Sequence, residues 1–340
     1  MDIVEKTPRR DSRQYDLLRA QLYELFGQVE DARECAESVL AIKGLPDAER
    51  GRAEFVISRL EAEVGNLEAE FRHLQKAILH SERARDLKSV CTSQFQLLVL
   101  IADRSGQDSE RSLMRQIRTN VTKLGDPATT AALHLFVSEL DGKRGLLTSA
   151  TNHILISKRL LESHHHLWLE AWAYNNLLSC ALLSSDFDAA VEHGRAALSR
   201  STECGAVAPI RRCLANLGHL YVSLGAFDRA LDYLERAARY SNSSNEHDHA
   251  RLDNIARVRL SQNNFEEGLR LIERVEANTQ HPTGTGRYVH RHSLLTKAEL
   301  LLSLRRFDDG LKCLNVTMEL ASQAGENALL NTAALLAFET

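Results

Sequence analysis

Residues 215–237 read ANLGHLYVSLGAFDRALDYLERA. The small residues Gly218, Gly225, Ala230 and Ala237 stand among bulky ones at the spacing of a helix, and Gly225 sits where one helix must stop and the chain reverse. A single helical hairpin of this kind cannot bury its own apolar face, so the stretch decides the fold only if it repeats.

It does repeat. Residues 171–197 placed under 211–237 align NNLLSCALLSSDFDAA with ANLGHLYVSLGAFDRA at an offset of 40, matching Asn176 with Asn216, Leu177 with Leu217, Phe187 with Phe227 and Ala190 with Ala230. The aromatic just after the turn recurs as Phe187, Phe227, Phe265 and Phe307, in the contexts SDFDAA, GAFDRA, NNFEEG and RRFDDG. An acidic residue follows each, as the first turn of a helix favours. Carried backwards, the marker falls on Leu147, near Asp108, on Leu67 and on Val29, and three of these four keep a glycine two residues earlier, at Gly145, Gly65 and Gly27. The unit around residue 108 is the weakest. Each unit reads as a helix of about 15 residues, a turn, a second helix of about 15 and a linker.

Composition agrees. Apolar residues make up 44% of the 340, prolines number 5, and Ala, Leu, Glu and Arg abound, which argues for helix nearly throughout. The net charge of −4, from 42 basic and 46 acidic residues well mixed, gives no footprint for nucleic acid or an anionic membrane. No stretch has the length of a signal-peptide core or a membrane span, so a soluble, cytoplasmic protein is expected. The six cysteines, Cys35, Cys91, Cys180, Cys204, Cys213 and Cys313, include no C-x-x-C pair and read as reduced residues in helices.

Leu217-Gly218, Tyr221, Gly225, Phe227, Ala230 and Ala237 resemble the tetratricopeptide repeats, whose pattern is a Leu-Gly pair, a Tyr three residues on, then a Gly, an aromatic and two small residues. The other units match loosely: Leu178 stands at the glycine of the Leu-Gly pair, Gly268 and Gly310 replace the alanine at Ala230, and Gly194 replaces a large residue. The spacing of 38 to 42 exceeds the usual 34 and is similar to the longer-period variants of bacterial signalling and transcription regulators. The resemblance implies an all-α fold, a right-handed α-solenoid of stacked helix-turn-helix repeats whose first helices line a concave face. The expected division is a polar segment at 1–14, about eight hairpins over 15–325 and a terminal helix at 326–340, with the position of a ninth unit's first helix. Leu329, Leu330, Leu335, Leu336 and Phe338 of that last helix would sit exposed unless a partner or a second copy packs there, suggesting a fragment of a longer protein, a docking end or a terminal helix covered on one face.

No phosphate-binding loop, zinc-protease or serine-hydrolase motif is present. HPTGTGRYVH, residues 281–290, reads as a loop between repeats. In ESHHHLWLEAW, residues 162–172, Glu162, His166 and Glu170 share a helical face beside His164 and His165, but no supporting shell is visible, and we read incidental histidines without a metal or other cofactor. His247, His249, His290 and His292 are given the same reading.

The first helices carry more. Two residues before the glycine position stand Asn176, Asn216 and Asn254, in three consecutive units. In the resembled family that place faces the groove, where a ladder of amides would bind the backbone of an extended peptide without reading its sequence. Trp172, Asn175, Ser179, Arg212, His219, Asp253, Arg257 and Glu299 fall on the same side, with Trp172 as aromatic anchor and Arg212 and Arg257 as partners for acidic groups. An inter-helix hydrogen-bonding role for the asparagines is the competing reading; if they face a ligand, replacing them should leave stability unchanged. The resulting expectation is a non-enzymatic module binding a protein or peptide in a concave groove, as the regulatory or sensory part of a larger regulator. A small-molecule sensor with an enclosed pocket is the alternative, and a metal-dependent enzyme built on the histidines a third reading.

Overall fold

The computed structural model describes residues 9–104, 107–241, 246–279 and 287–340. The helices are α1 (Arg9–Leu25), α2 (Val29–Leu40), α3 (Asp47–Glu63), α4 (Leu67–Arg83), α5 (Leu87–Arg104), α6 (Gln107–Leu124), α7 (Pro127–Lys143), α8 (Leu147–Leu161), α9 (Leu167–Leu183), α10 (Phe187–Cys204), α11 (Val207–Ser223), α12 (Phe227–Ala238), α13 (Glu246–Ser261), α14 (Phe265–Thr279), α15 (Tyr288–Ser303), α16 (Phe307–Ala324) and α17 (Asn327–Glu339). The described residues contain no strand, and no helix among them is long and apolar enough to cross a membrane.

The hairpin turns share one device. The residue two before an even-numbered helix is left-handed at Gly27 (φ 73°), Gly65, Gly145 and Gly225, and at Ser185 (φ 59°), Asn263 and Arg305, where no glycine is available. One such residue reverses the chain tightly enough for the helices to pack antiparallel, and the strain it costs a non-glycine residue is about 1–2 kcal/mol. Side-chain caps fix several helix starts: Asn66 accepts from the Ala69 N–H, Asp126 from Thr129 and Asp186 from Ala189.

Close packing within hairpins rests on small residues. Ala32, Ala150, Ala190 and Ala230 are fully buried three residues into their helices, and a Cβ on Gly218 would lie 2.5 Å from Leu234 Cδ2. Odd-numbered helices also touch one another from unit to unit, so they form the inner layer while the even-numbered ones form the outer. Buried leucines and isoleucines such as Leu60, Leu98, Leu135, Leu178, Leu220 and Ile272 lie in a series of separate clusters spaced along the array.

The array curls back on itself. A Cβ on Gly27, in the α1–α2 turn, would lie 3.3 Å from Val207 Cγ2 at the start of α11, and one on Gly145, in the α7–α8 turn, would lie 3.5 Å from Ala328 Cβ of α17. Successive superhelical turns therefore contact each other, and the odd helices enclose a narrow lumen.

Two features depart from the sequence reading. Helix α1 begins at Arg9, inside the segment read as polar, and α13 begins at Glu246, so His247 and His249 are helical. Of the terminal apolar residues, Leu329 is 3% exposed, and Leu330 and Leu336 pack on the core of α15 and α16, because α17 lies along α16; Leu335 and Phe338 are exposed. Residues 1–8 of the polar segment, 105–106 beside the weak marker, 242–245 and 280–286 of the loop lie outside the described residues.

Candidate functional site

Asn176 and Asn216 hold the inner layer together. Asn176, 6% exposed on α9, donates its amide to the Leu135 carbonyl (3.2 Å) and Ser138 Oγ (2.8 Å) of α7. Asn216 on α11 repeats the arrangement one unit on, donating to Asn175 Oδ1 and Ser179 Oγ of α9, each at 3.2 Å. These positions lie at the seam where neighbouring inner helices meet, and a buried amide must find partners there. The Asn176 and Asn216 amides expected to face a peptide are thus spent between helices, a bonding pattern in which their removal should lower stability. Asn254, 8% exposed on α13, and Asn175, 4% exposed, are buried as well, while Ser179 Oγ donates to the Asn175 carbonyl.

The remaining residues form two clusters above this floor. In the first, the Trp172 ring meets Phe136 edge-on at 4.5 Å, Phe136 stacks on Phe95 at 4.9 Å, and the Arg212 guanidinium lies 5.8 Å from the Trp172 ring centroid. Arg212 also pairs with Glu139 of α7 at 3.0 Å. In the second, Arg257 donates from Nε to Asp253 Oδ2 at 3.2 Å, close to His219 of α11 and Glu299 of α15. Burial, reinforced by Arg257, pushes His219 down to about 4, and burial with Arg257 and Arg291 pushes His292 down to about 3, so both imidazoles are neutral near pH 7. Tyr288, its ring centroid 4.2 Å from that of His292 and tilted by 35°, with Lys143 of α7 lying 5.2 Å from its ring centroid, is raised by burial to about 12.

Sequence reasoning missed the contacts between successive superhelical turns. Arg211, 3% exposed, donates to both oxygens of Glu63 at 2.7 Å and to the Tyr240 carbonyl at 3.2 Å. Nothing in a 40-residue period pairs positions 148 apart. His247 is pushed well below its ordinary value by burial and by Arg211, Arg212, Arg287 and Arg59.

The histidine run serves the helix. His166 caps α9, accepting from the Leu169 N–H, Glu170 accepts from the His166 N–H, Glu162 ends α8 and His165 is 93% exposed at its side chain. No group of three or more metal-ligating side chains occurs among the described residues. Two surface cavities of about 420 and 430 Å³ lie elsewhere, one between α14 and α16 beside His290 and Lys297, the other beside Glu110, Arg144 and Gly325; none of the groove residues lines either.

A family model for the tetratricopeptide repeat matches residues 213–246. No curated protein matches the sequence. Among solved structures, a Rap protein complexed with competence and sporulation factor is similar, with a TM-score of 0.65, 14% identity, and coverage of 94% of this chain and 90% of that one. So is a signal transduction ATPase with numerous domains and a tetratricopeptide repeat sensor, from Pyrococcus horikoshii, with a TM-score of 0.50, 10% identity, and coverage of 99% of this chain and 54% of that one. Residues 213–246 thus match the tetratricopeptide-repeat model, and the chain has the all-helical solenoid fold of these structures.

Proposed function

We propose that the chain is a non-enzymatic binding module whose concave lumen takes an extended segment of a peptide or protein, as the regulatory or sensory part of a cytoplasmic signalling or transcription-regulating system. The observation that carries this reading is the composition of the inner surface. From α9 to α15, Trp172, Arg212, His219, Arg257 and Glu299 are half-buried side by side, with Asp253 beneath Arg257. Aromatic and charged groups on a rigid concave floor suit a partner that lies extended and offers alternating side chains. The similar solenoid of a Rap protein complexed with competence and sporulation factor adds support.

Within this reading Asn176 and Asn216 keep α7, α9 and α11 in register beneath the groove, Asn176 donating to Leu135 and Ser138 and Asn216 to Asn175 and Ser179. Partner contact then falls to Trp172, Arg212, His219, Asp253 and Arg257, and Asn254 belongs to the floor between them. Panning a random nonapeptide display library on the immobilised chain tests the proposal. Selected peptides, made synthetically, should bind the wild type and lose about tenfold or more in affinity against Arg212→Ala, His219→Ala, with an unchanged helical signal. Equal affinity for both proteins would move the binding surface elsewhere.

A further inference from the structure

The second cluster of the groove holds two carboxylates short of hydrogen-bond donors, and the inference drawn from it rests on the groove reading above. Asp253 is 8% exposed; its Oδ2 accepts from Arg257 Nε at 3.2 Å, while its Oδ1 is buried and accepts no hydrogen bond. Glu299, one repeat further on and half-buried, feels Arg257 electrostatically, but its carboxylate accepts no hydrogen bond among the described residues. Two carboxylates therefore share one guanidinium.

The neighbouring cations are engaged. Arg291 is 1% exposed and donates to both oxygens of Glu326, at 2.9 and 2.6 Å, and Lys143 lies over the Tyr288 ring. The two histidines that face the cluster, His219 and His292, are neutral, for the reasons given above. The Asp253 Oδ1 and the Glu299 carboxylate thus receive no hydrogen bond from any of these cations, in surroundings that hydrate them poorly, where an under-bonded carboxylate is costly and an incoming cation is correspondingly attractive. Burial raises Glu299 above the ordinary carboxylate range, as expected for an acid short of positive partners.

We propose that Glu299, with Asp253 behind it, seats a cationic side chain of the bound segment, an arginine or lysine. Glu299, half-buried where Asp253 is 8% exposed, is the contact. Asp253 contributes a second negative charge and holds Arg257 aside, so that the incoming cation meets a carboxylate before it meets the guanidinium.

Two synthetic pools test this. Both are N-acetylated random nonapeptides without lysine or arginine, except that one carries arginine at its centre and the other citrulline, which keeps the shape and loses the charge. Each is captured on the immobilised full chain near physiological ionic strength and quantified by mass spectrometry. The wild type should retain the arginine pool about tenfold or more over the citrulline pool, and Glu299→Gln should bring that ratio close to one while still retaining both. Asp253→Asn, which keeps the side-chain shape, should lower the ratio in the same direction. Equal retention of the two pools by the wild type, or an unchanged ratio in Glu299→Gln, overturns the cation seat and leaves the groove reading standing. Retention of neither pool overturns both.

Discussion

Asn176 donates two hydrogen bonds from a position 6% exposed, to the Leu135 carbonyl and to Ser138 Oγ, itself 1% exposed. Asn176→Ala removes the donor to Ser138 Oγ and leaves a gap at a seam water does not reach, and should destabilise the chain by about 1–3 kcal/mol in urea denaturation. Asn216→Ala, at a half-buried site, should cost less. A second residue-scale consequence concerns pH. His219 is held at about 4, below the ordinary 6.5, so the unfolded chain binds its proton more readily than the folded one. Its contribution to stability is complete above pH 6.5 and is lost as pH falls through about 4, and His219→Gln should flatten the decline of stability in that window by up to about 1.4 kcal/mol per pH unit. An identical slope in wild type and variant would show that the imidazole is not shielded from water.

At the scale of elements, helix spacing is set by the absence of side chains. A Cβ on Gly218 would lie 2.5 Å from Leu234 Cδ2 and 2.6 Å from its Cγ, and Leu234 is fully buried, so neither atom has room to retreat. Gly218→Ala gains helix propensity of about 1 kcal/mol but forces α11 and α12 apart, and a net loss of about 1–3 kcal/mol in thermal or urea unfolding is expected. A neutral or stabilising outcome would mean that the hairpin gives way easily. This element was legible because propensity, turn chemistry and small-residue spacing agree in it: Phe187, Phe227, Phe265 and Phe307, with Leu147, Leu67 and Val29, each open a helix, and the weak marker near Asp108 falls one residue inside α6, which opens at Gln107. The side chains on these helices were less legible. Period places Asn176 on the inner helix, but whether its amide meets a ligand or the neighbouring helix depends on how closely two inner helices approach, a distance of which the period carries no record.

The whole molecule adds contacts that no single repeat contains. A solenoid is held mainly by interactions between neighbouring units, so its pitch is a sum of small rotations and is sensitive to a few long-range ties. Glu63 at the end of α3 and Arg211 on α11 are such a tie, joined by two bonds of 2.7 Å four hairpins apart, and the packing of Gly27 near Val207 lies along the same line. Glu63→Gln removes the charge opposite a guanidinium that is 3% exposed, and an unpaired buried charge costs about 3–5 kcal/mol. The chain has a cheaper response than unfolding: separating the superhelical turns returns Arg211 to water and leaves every hairpin intact. The expected result is a larger radius of gyration by small-angle scattering with an unchanged helical signal, restored towards wild type when Glu63→Arg is combined with Arg211→Glu. If the radius of gyration does not move in Glu63→Gln, packing between adjacent hairpins sets the pitch alone, and the lumen is as rigid as its inner layer.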